Sequence, residues 1–509
     1  MPDHDVAIIG AGLSGLGMGS ALKRAGIEDF VIYERAQDIG GTWRDNTYPG
    51  VGVDIPTFAY QFSYELKPDW SRVFARGAEV KQYVDDYADK YGLRPHLQFA
   101  CDVTERAWDE DEQCWRLTLN GTEETTARFV ISAIGAFVDP KPIEIDGLDQ
   151  FAGKVIHSAR WDHSYSLAGK RVAIVGTGAS AVQIVPMIAR EVEQLDVYQR
   201  TPIWISPKFD PPIPDLVKRL FARVPVTQRA TFAVASAITE FILITMVVHY
   251  ERLPFVVRAV ESSSRRFVAA SVRDPELREK LTPDYDFGCK RPSVSNRYLA
   301  AFNRPNVSLI TDRIERITEG GVLAADGTER PVDALVLATG FYLASSPENY
   351  RLRPVRGRDG FDLADHYEHN HLKAYESISM PGLPNHFMIF GPYGWTGASW
   401  HVLVESASKH IVRVIEECRR RGASEVEVTE AATDRYHEVV LQKMSKALWH
   451  GSNCATANSY YYDHHGDTPY LRPTSGRAAF KAARNFPMSD YRFSGARARR
   501  REPVPSALP

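Results

Sequence analysis

The sequence predicts an α/β protein with two Rossmann-like dinucleotide-binding domains, the second inserted into the first, plus a helical insertion. Three observations lead there. Two stretches, "VAIIGAGLSG" and "VAIVGTGASA", each run an apolar strand into a glycine turn and on into a helix. Each is followed by a second apolar strand, "FVIYE" and "LDVYQR", completing a β-α-β unit. At 509 residues the chain is also too long for one ordinary core.

The first unit reads as a strand Val6–Ile9, a turn carrying Gly10, Gly12 and Gly15, a helix from Leu16 to Ala25, and a strand ending at Glu34. In such a loop the first glycine allows the tight turn and the second lets a pyrophosphate approach the backbone. The third lets helix and strand pack closely, while the helix N-terminus offers free N–H groups and partial positive charge. Glu34, nineteen residues after Gly15, falls where a carboxylate accepts hydrogen bonds from ribose hydroxyls.

The second unit repeats this with Arg171–Val175, Gly176 and Gly178, a helix opening at Ser180 and Ala181, and a strand ending at Arg200. Here Ala181 replaces the third glycine and Arg200 replaces the acid. A guanidinium clamps a 2′-phosphate in a fork, whereas a carboxylate repels it. FAD in the first loop and NADPH in the second is the economical assignment. "RFVISAIG" (Arg128–Gly135) reads as a strand leaving the first domain, and "VDALVLATGF" (Val332–Phe341) as one returning to it. The expected boundaries are 1–140 with 332–495 for the FAD-binding domain and 150–210 with 290–331 for the NADP-binding domain. Residues 211–289 form the helical lobe, and 496–509 a charged, proline-rich, disordered tail.

Hydrophobic content of 44% and charged content of 25% exclude a disordered or fibrous chain. A net charge of −3, with no long basic run inside the folded part, gives no sign of nucleic acid. The five cysteines are scattered, odd in number and never in a C-x-x-C pair, which argues against a disulfide framework, a zinc site or a dithiol centre. The pairs His369, His371 and His464, His465 lack the supporting ligands of a metal site, so no metal is expected. "MPDHDVAIIG" enters a strand at once without a signal peptide, and a reducing cytoplasm is the simplest location. Residues 231–249 are apolar, but Glu240 near their middle argues against an integral span and for a buried or substrate-lining helix, with surface contact with lipid as the alternative.

Gly40 and Gly41 form a doublet in "IGGTWRDNTYPG", and Phe151, Gly153, His157, Trp161 and Asp162 meet the pattern F-x-G-x-x-x-H-x-x-x-W-[P/D]. On these residues and both glycine loops the chain resembles the Baeyer–Villiger branch of the class B flavoprotein monooxygenases, whose fingerprint that pattern is. "VDIP" and "CKRPSVSNRYLAAFN" match the segments that carry the family's active-site Asp and Arg. The similarity runs from residue 6 to about 400 and thins in the last hundred residues.

The resemblance implies a cycle in which NADPH reduces FAD, reduced flavin captures O2 as a C4a-peroxide, and a ketone becomes an ester or lactone. It implies Arg291 as the catalytic cation and Asp54 as the carboxylate orienting it. Lys290 and Thr201 join Arg200 at the phosphate. Gly41, Thr42, Trp43, Asp54 and Tyr60 line the flavin side, with Tyr48 nearby. "GPYGWTGASWH" is expected to complete the flavin pocket, although its wording is looser than the family's. His157 resembles a linker residue between the domains, not an acid or base. The implied partners are a small-molecule ketone and molecular oxygen; no protein partner is implied.

The runner-up is a flavin monooxygenase making sulfoxides or N-oxides, which has no need of Arg291. An electron-transfer flavoprotein reductase is a second class, and the missing C-x-x-C removes its disulfide-reductase form. A cofactor-binding protein without turnover is a third, opposed by Arg200 together with Lys290 and Arg291.

Overall fold

The structure is a computed structural model and describes residues 2–395, 399–451 and 453–495. The tail 496–509, expected to be disordered, lies outside the described residues. The first glycine unit lies in an eight-stranded sheet. Its order is Val355–Arg356, Val103–Asp109, Cys114–Leu119, Glu123–Ser132, His4–Ile9, Phe30–Tyr33 and Leu97–Gln98, with His386–Met388 beside the end of Glu123–Ser132. His4–Ile9 is parallel to both neighbours, with Ile9 opposite Tyr33 and Ser132. Its residues Val6, Ala7 and Ile8 are wholly buried because both faces of the sheet are covered, which is why the strand reads as a continuous apolar run.

The second unit lies in a five-stranded, all-parallel sheet. The order is Val307–Ile310, Gln194–Tyr198, Arg171–Val175, Ala334–Leu337 and Lys154–His157. This corrects one expectation: Val332–Phe341 does not return directly to the first sheet. Its strand, Ala334–Leu337, pairs with Arg171–Val175 and Lys154–His157 and closes the second sheet. A four-residue apolar strand reads alike in either parallel sheet, and only pairing assigns it. The chain passes between the two sheets along Phe137–Pro140 and Phe341–Leu343, which pair antiparallel, so exit and return run side by side.

Residues 215–280 form the helices Asp215–Arg223, Pro225–Glu240, Pro254–Ser271 and Pro275–Lys280, three of them opening on proline, whose missing N–H is no loss there. Trp204, Val257, Tyr285, Phe287 and Cys289 pack here against Leu448, Trp449 and Leu471, so the C-terminal segment shares this core. Among the described residues no helix is long and apolar enough to cross a membrane. The expectation of a buried or substrate-lining helix at 231–249 fails on one side, however. Val234, Ile238, Phe241 and Ile242 are 60%, 54%, 51% and 45% exposed.

The fingerprint occupies the edge of the second sheet. His157 ends the strand Lys154–His157 opposite Leu337. Its Nδ1 accepts from the Ala159 N–H at 3.1 Å, its ring stands edge-on to Phe341, and burial lowers its pKa. Gly153 is demanded by packing, since a Cβ there would meet the Asp333 carbonyl oxygen at 2.6 Å and the Phe151 ring at 2.5 Å. Asp162 holds Lys154 at 2.6 Å.

Candidate active site

A single cavity of about 2260 Å³ is lined by both glycine loops. That exceeds the roughly 300–1,000 Å³ of an ordinary ligand pocket. It has room for two extended cofactors and a substrate.

The first loop shows three different reasons for its glycines. Gly10 has φ +104°, and a Cβ there would lie 2.8 Å from the Ala133 carbonyl oxygen. Gly15 lies against the strand, where a Cβ would come within 1.9 Å of the Gly10 oxygen. Gly12 is different: the nearest atom to its Cβ position is the Gly41 Cα at 3.7 Å, and it faces the cavity. The helix Leu13–Arg24 starts with no side-chain cap and no acid in its first turn, so its free N–H groups and dipole are left for an anion. Glu34 is buried and holds the loop, accepting from the Ala11 N–H and the Ala36 N–H at 2.9 Å each and pairing with Arg44 at 2.9 Å. Its Oε2 accepts only one of these and retains capacity for a ribose hydroxyl.

The second loop repeats the geometry. Gly176 has φ +110°, with a Cβ position 2.5 Å from the Ala338 oxygen, and Gly178 has nothing within 4 Å. The helix Ala179–Ile188 also opens without a side-chain cap or an acid. Gly178, Ser180, Arg200, Thr201 and Lys290 line the cavity. Lys290 is held at a pKa of about 8 by burial and by the charge of Arg200. Among the described residues neither cation has a carboxylate partner. Two neighbouring, unneutralised cations beside a helix N-terminus fit a phosphate group.

Gly15 and Ala181, expected at the cofactors, do not line the cavity. Both sit at helix–strand contacts, Ala181 fully buried. They shape the loops from behind.

Gly41, Thr42, Trp43, Asp54 and Tyr60 all line the cavity. Trp43 Nε1 donates to the Tyr60 hydroxyl at 3.0 Å, with the rings edge to face at 5.5 Å. Asp54 and Arg291, 237 residues apart, meet in a bidentate pair: Nη2 donates to Oδ2 at 2.7 Å and Oδ1 at 2.9 Å, and Nε to Oδ2 at 3.1 Å. Both side chains remain about a quarter exposed, at 26% and 27%, because they face the cavity. Burial works against the guanidinium's charge, but Asp54 outweighs it and the Arg291 pKa is raised. The Arg291 guanidinium carbon also lies 5.8 Å from the centroid of the Trp395 ring. Of "GPYGWTGASWH", residues 396–398 lie outside the described residues. Trp395 and Trp400 line the cavity, and Trp400 Nε1 donates to Ser14 Oγ at 2.9 Å.

Several residues escaped the sequence reading. Gln183 fastens the second unit to the segment carrying Asp54: its Oε1 accepts from the Gly52 N–H and the Tyr48 hydroxyl at 3.2 Å each, and its Nε2 donates to the Gly52 carbonyl at 3.0 Å. A lone glutamine in the apolar run "AVQIV" was the available signal. Asn458 donates to Thr201 Oγ1 at 2.8 Å, and Tyr460 lines the cavity. The aromatic run Tyr460–Tyr462 marked that segment, but no spacing rule tied it to residues 201 and 291.

The cysteine reading is corrected. Cys289 and Cys454 form a disulfide across 165 residues of sequence. It joins the residue before Lys290 to the segment bearing Asn458, and a pairing that distant leaves no spacing pattern. Cys101, Cys114 and Cys418 are thiols. The cysteine count therefore lends no support to a reducing compartment. Among the described residues, no group of three His, Cys, Asp or Glu is placed to hold a metal ion.

A model of the pyridine nucleotide-disulphide oxidoreductase family matches residues 7–241. A Baeyer–Villiger monooxygenase of Streptomyces coelicolor is 37% identical over 96% of this chain and 92% of its own length. Another, from Pseudomonas aeruginosa, is 38% identical over 93% of this chain and 86% of its own. Among solved structures, OTEMO in complex with FAD and NADP superposes with a TM-score of 0.84 at 27% identity, covering 97% of this chain and 100% of that one. An ε-caprolactone-bound cyclohexanone monooxygenase superposes at 0.82 with 28% identity, over 96% and 99%. Relatedness at this level over nearly the whole length, with both glycine loops and the Asp54–Arg291 pair lining one cavity, decides the matter: the chain belongs to the Baeyer–Villiger monooxygenase family.

Proposed function

We propose that this protein uses FAD, NADPH and O2 to insert one oxygen atom beside a ketone carbonyl, giving an ester or lactone. The observation that carries the reading is the Asp54–Arg291 pair, a fixed positive charge facing a cavity that both glycine loops share. FAD bound at the first loop and reduced by NADPH supplies activated oxygen. The chain's own part is electrostatic. Negative charge develops on the carbonyl oxygen as it is attacked, and the Arg291 guanidinium, permanently charged and locked in register by three hydrogen bonds to the Asp54 carboxylate, stabilises it. Asp54 is a positioning residue, since a free guanidinium would spend its donors on water. Trp395 and Trp400 line the same cavity and add apolar surface beside the guanidinium.

Incubation with NADPH, O2 and a panel of linear and cyclic ketones should give products one oxygen atom heavier than substrate. NADPH oxidation with only hydrogen peroxide as product, or sulfoxides without esters, would overturn the reading.

Arg200, Lys290 and Thr201 are assigned to the 2′-phosphate of NADPH. Losing one charge-assisted contact costs about 1.5–3 kcal/mol, or roughly ten- to a hundredfold in affinity. Arg200→Ala should raise the KM for NADPH by that factor and leave NADH nearly unchanged; equal damage to both would refute the assignment. Lys290 adds a pH dependence. With a free-enzyme pKa of about 8, it is protonated and binding-competent below that pH. NADPH affinity should therefore fall as pH rises through about 8, and Lys290→Met should be weaker throughout and lack that decline.

The Cys289–Cys454 bond anchors the segment carrying Asn458 next to Lys290. Cys454→Ser should therefore raise the KM for NADPH while flavin content stays constant. An unchanged KM would show that the anchor is irrelevant to the phosphate site.

A further inference from the structure

The helix Pro225–Glu240 is turned inside out. In a surface helix of a water-soluble domain the apolar stripe faces the core. Here the two fully buried residues are polar, Gln228 and Thr239. Gln228 Nε2 donates to the Lys67 carbonyl at 2.6 Å, and Glu240, at the inner end, accepts from the Gly476 N–H at 3.0 Å. The outward face carries Val226, Val234 and Ile238 at 67%, 60% and 54% exposure, with Ala230, Ala233 and Ala237 exposed between them. Phe241 and Ile242 extend it into the next turn, and exposed Leu216 and Leu220 lie on the adjoining helix Asp215–Arg223. A contiguous apolar face of this kind marks a contact with another apolar phase.

Charge selects the phase. Arg219 and Arg229, set among these residues along the chain, and Arg223, Arg252 and Arg258 beside them are all exposed, and among the described residues none is in an ion pair. The exposed acids between Asp215 and Arg258 are Asp215 and Glu251. A second copy seated on this face would set arginine against arginine. An anionic lipid surface supplies both the apolar interior and the opposite charge. We propose that the outward face of Pro225–Glu240, with its flanking arginines, docks the protein on anionic lipid bilayers as a peripheral, non-spanning contact. The protein's net charge of −3 opposes general attraction to such a surface, so the docking depends on this patch.

The test is flotation of the full-length, FAD-loaded protein with vesicles of phosphatidylcholine and phosphatidylglycerol in equal parts, against phosphatidylcholine alone. The protein should float with the mixed vesicles, less with the neutral ones, and less again in high salt. A V234S/I238S/F241S variant should lose about tenfold or more in partitioning while keeping its flavin absorbance and NADPH oxidation. No flotation of the wild type, or equal flotation of the variant, would overturn the proposal. So would a wild-type dimer in light scattering that the variant converts to monomer, because a second copy would then be the occupant. Should the triple variant fail to fold, Phe241→Trp provides the same decision. Its fluorescence should be quenched by brominated acyl chains beyond the wild-type level, and unchanged quenching would refute docking.

Discussion

Arg291→Ala is expected to retain FAD and to form no detectable ester or lactone. Among the described residues the guanidinium's hydrogen bonds run to Asp54 and not to either glycine loop, so the first loop keeps its geometry and its flavin. What disappears is the fixed cation facing the cavity. Removing one donor from an oxyanion site costs about 2.7–4 kcal/mol, on the order of a hundred- to a thousandfold in rate. A charged donor in a cavity walled by Trp395 and Trp400 should cost at least as much. The substitution also leaves Asp54 without its partner, which turns a stabilising charge into a repelling one. Sulfide oxidation, which develops no carbonyl oxyanion, should survive better. Arg291→Lys should recover little, because an ammonium cannot reproduce the two-point contact with Asp54. Ester formation by Arg291→Ala at the wild-type rate would remove the mechanism proposed here and favour oxygenation of sulfur or nitrogen.

Gly12→Val should give a folded protein without bound FAD. Gly12 has φ −79° and ψ −172°, a conformation valine adopts readily, and its Cβ position is clear of protein atoms to 3.7 Å. The added side chain therefore enters the cavity where a pyrophosphate would approach the helix N-terminus. Gly15→Val is the contrasting case. Its Cβ position lies 1.9 Å from the Gly10 oxygen, so the clash is with backbone, and overpacking of about 1–3 kcal/mol or more should appear as lost stability. The two variants thus separate binding from packing. Flavin absorbance and thermal melting measure both, and a folded Gly12→Val enzyme carrying stoichiometric FAD would move the flavin away from the first loop.

What the sequence determined by itself was local. A strand, a glycine turn and a helix lie within thirty residues, and their steric demands appear as Gly10, Gly12 and Gly15 at fixed spacing. The choice of Glu34 against Arg200 at the strand ends was legible for the same reason. Lys290 and Arg291 were found through a resemblance of motifs, since nothing in their own neighbourhood reveals that Asp54 stands opposite.

The tertiary structure decided everything that depends on which distant segments meet. Ala334–Leu337 reads as a buried parallel strand wherever it lies, and pairing alone assigned it to the second sheet. The Cys289–Cys454 bond, the Gln183 clasp on Gly52 and the Asn458 contact with Thr201 each join residues more than a hundred positions apart. Helix Pro225–Glu240 is the sharpest case, because its sequence shows an apolar face but not its direction. Periodicity fixes which side chains share a face, whereas the neighbouring segments, here Lys67 and Gly476 offering partners to Gln228 and Glu240, fix whether that face turns inward or out.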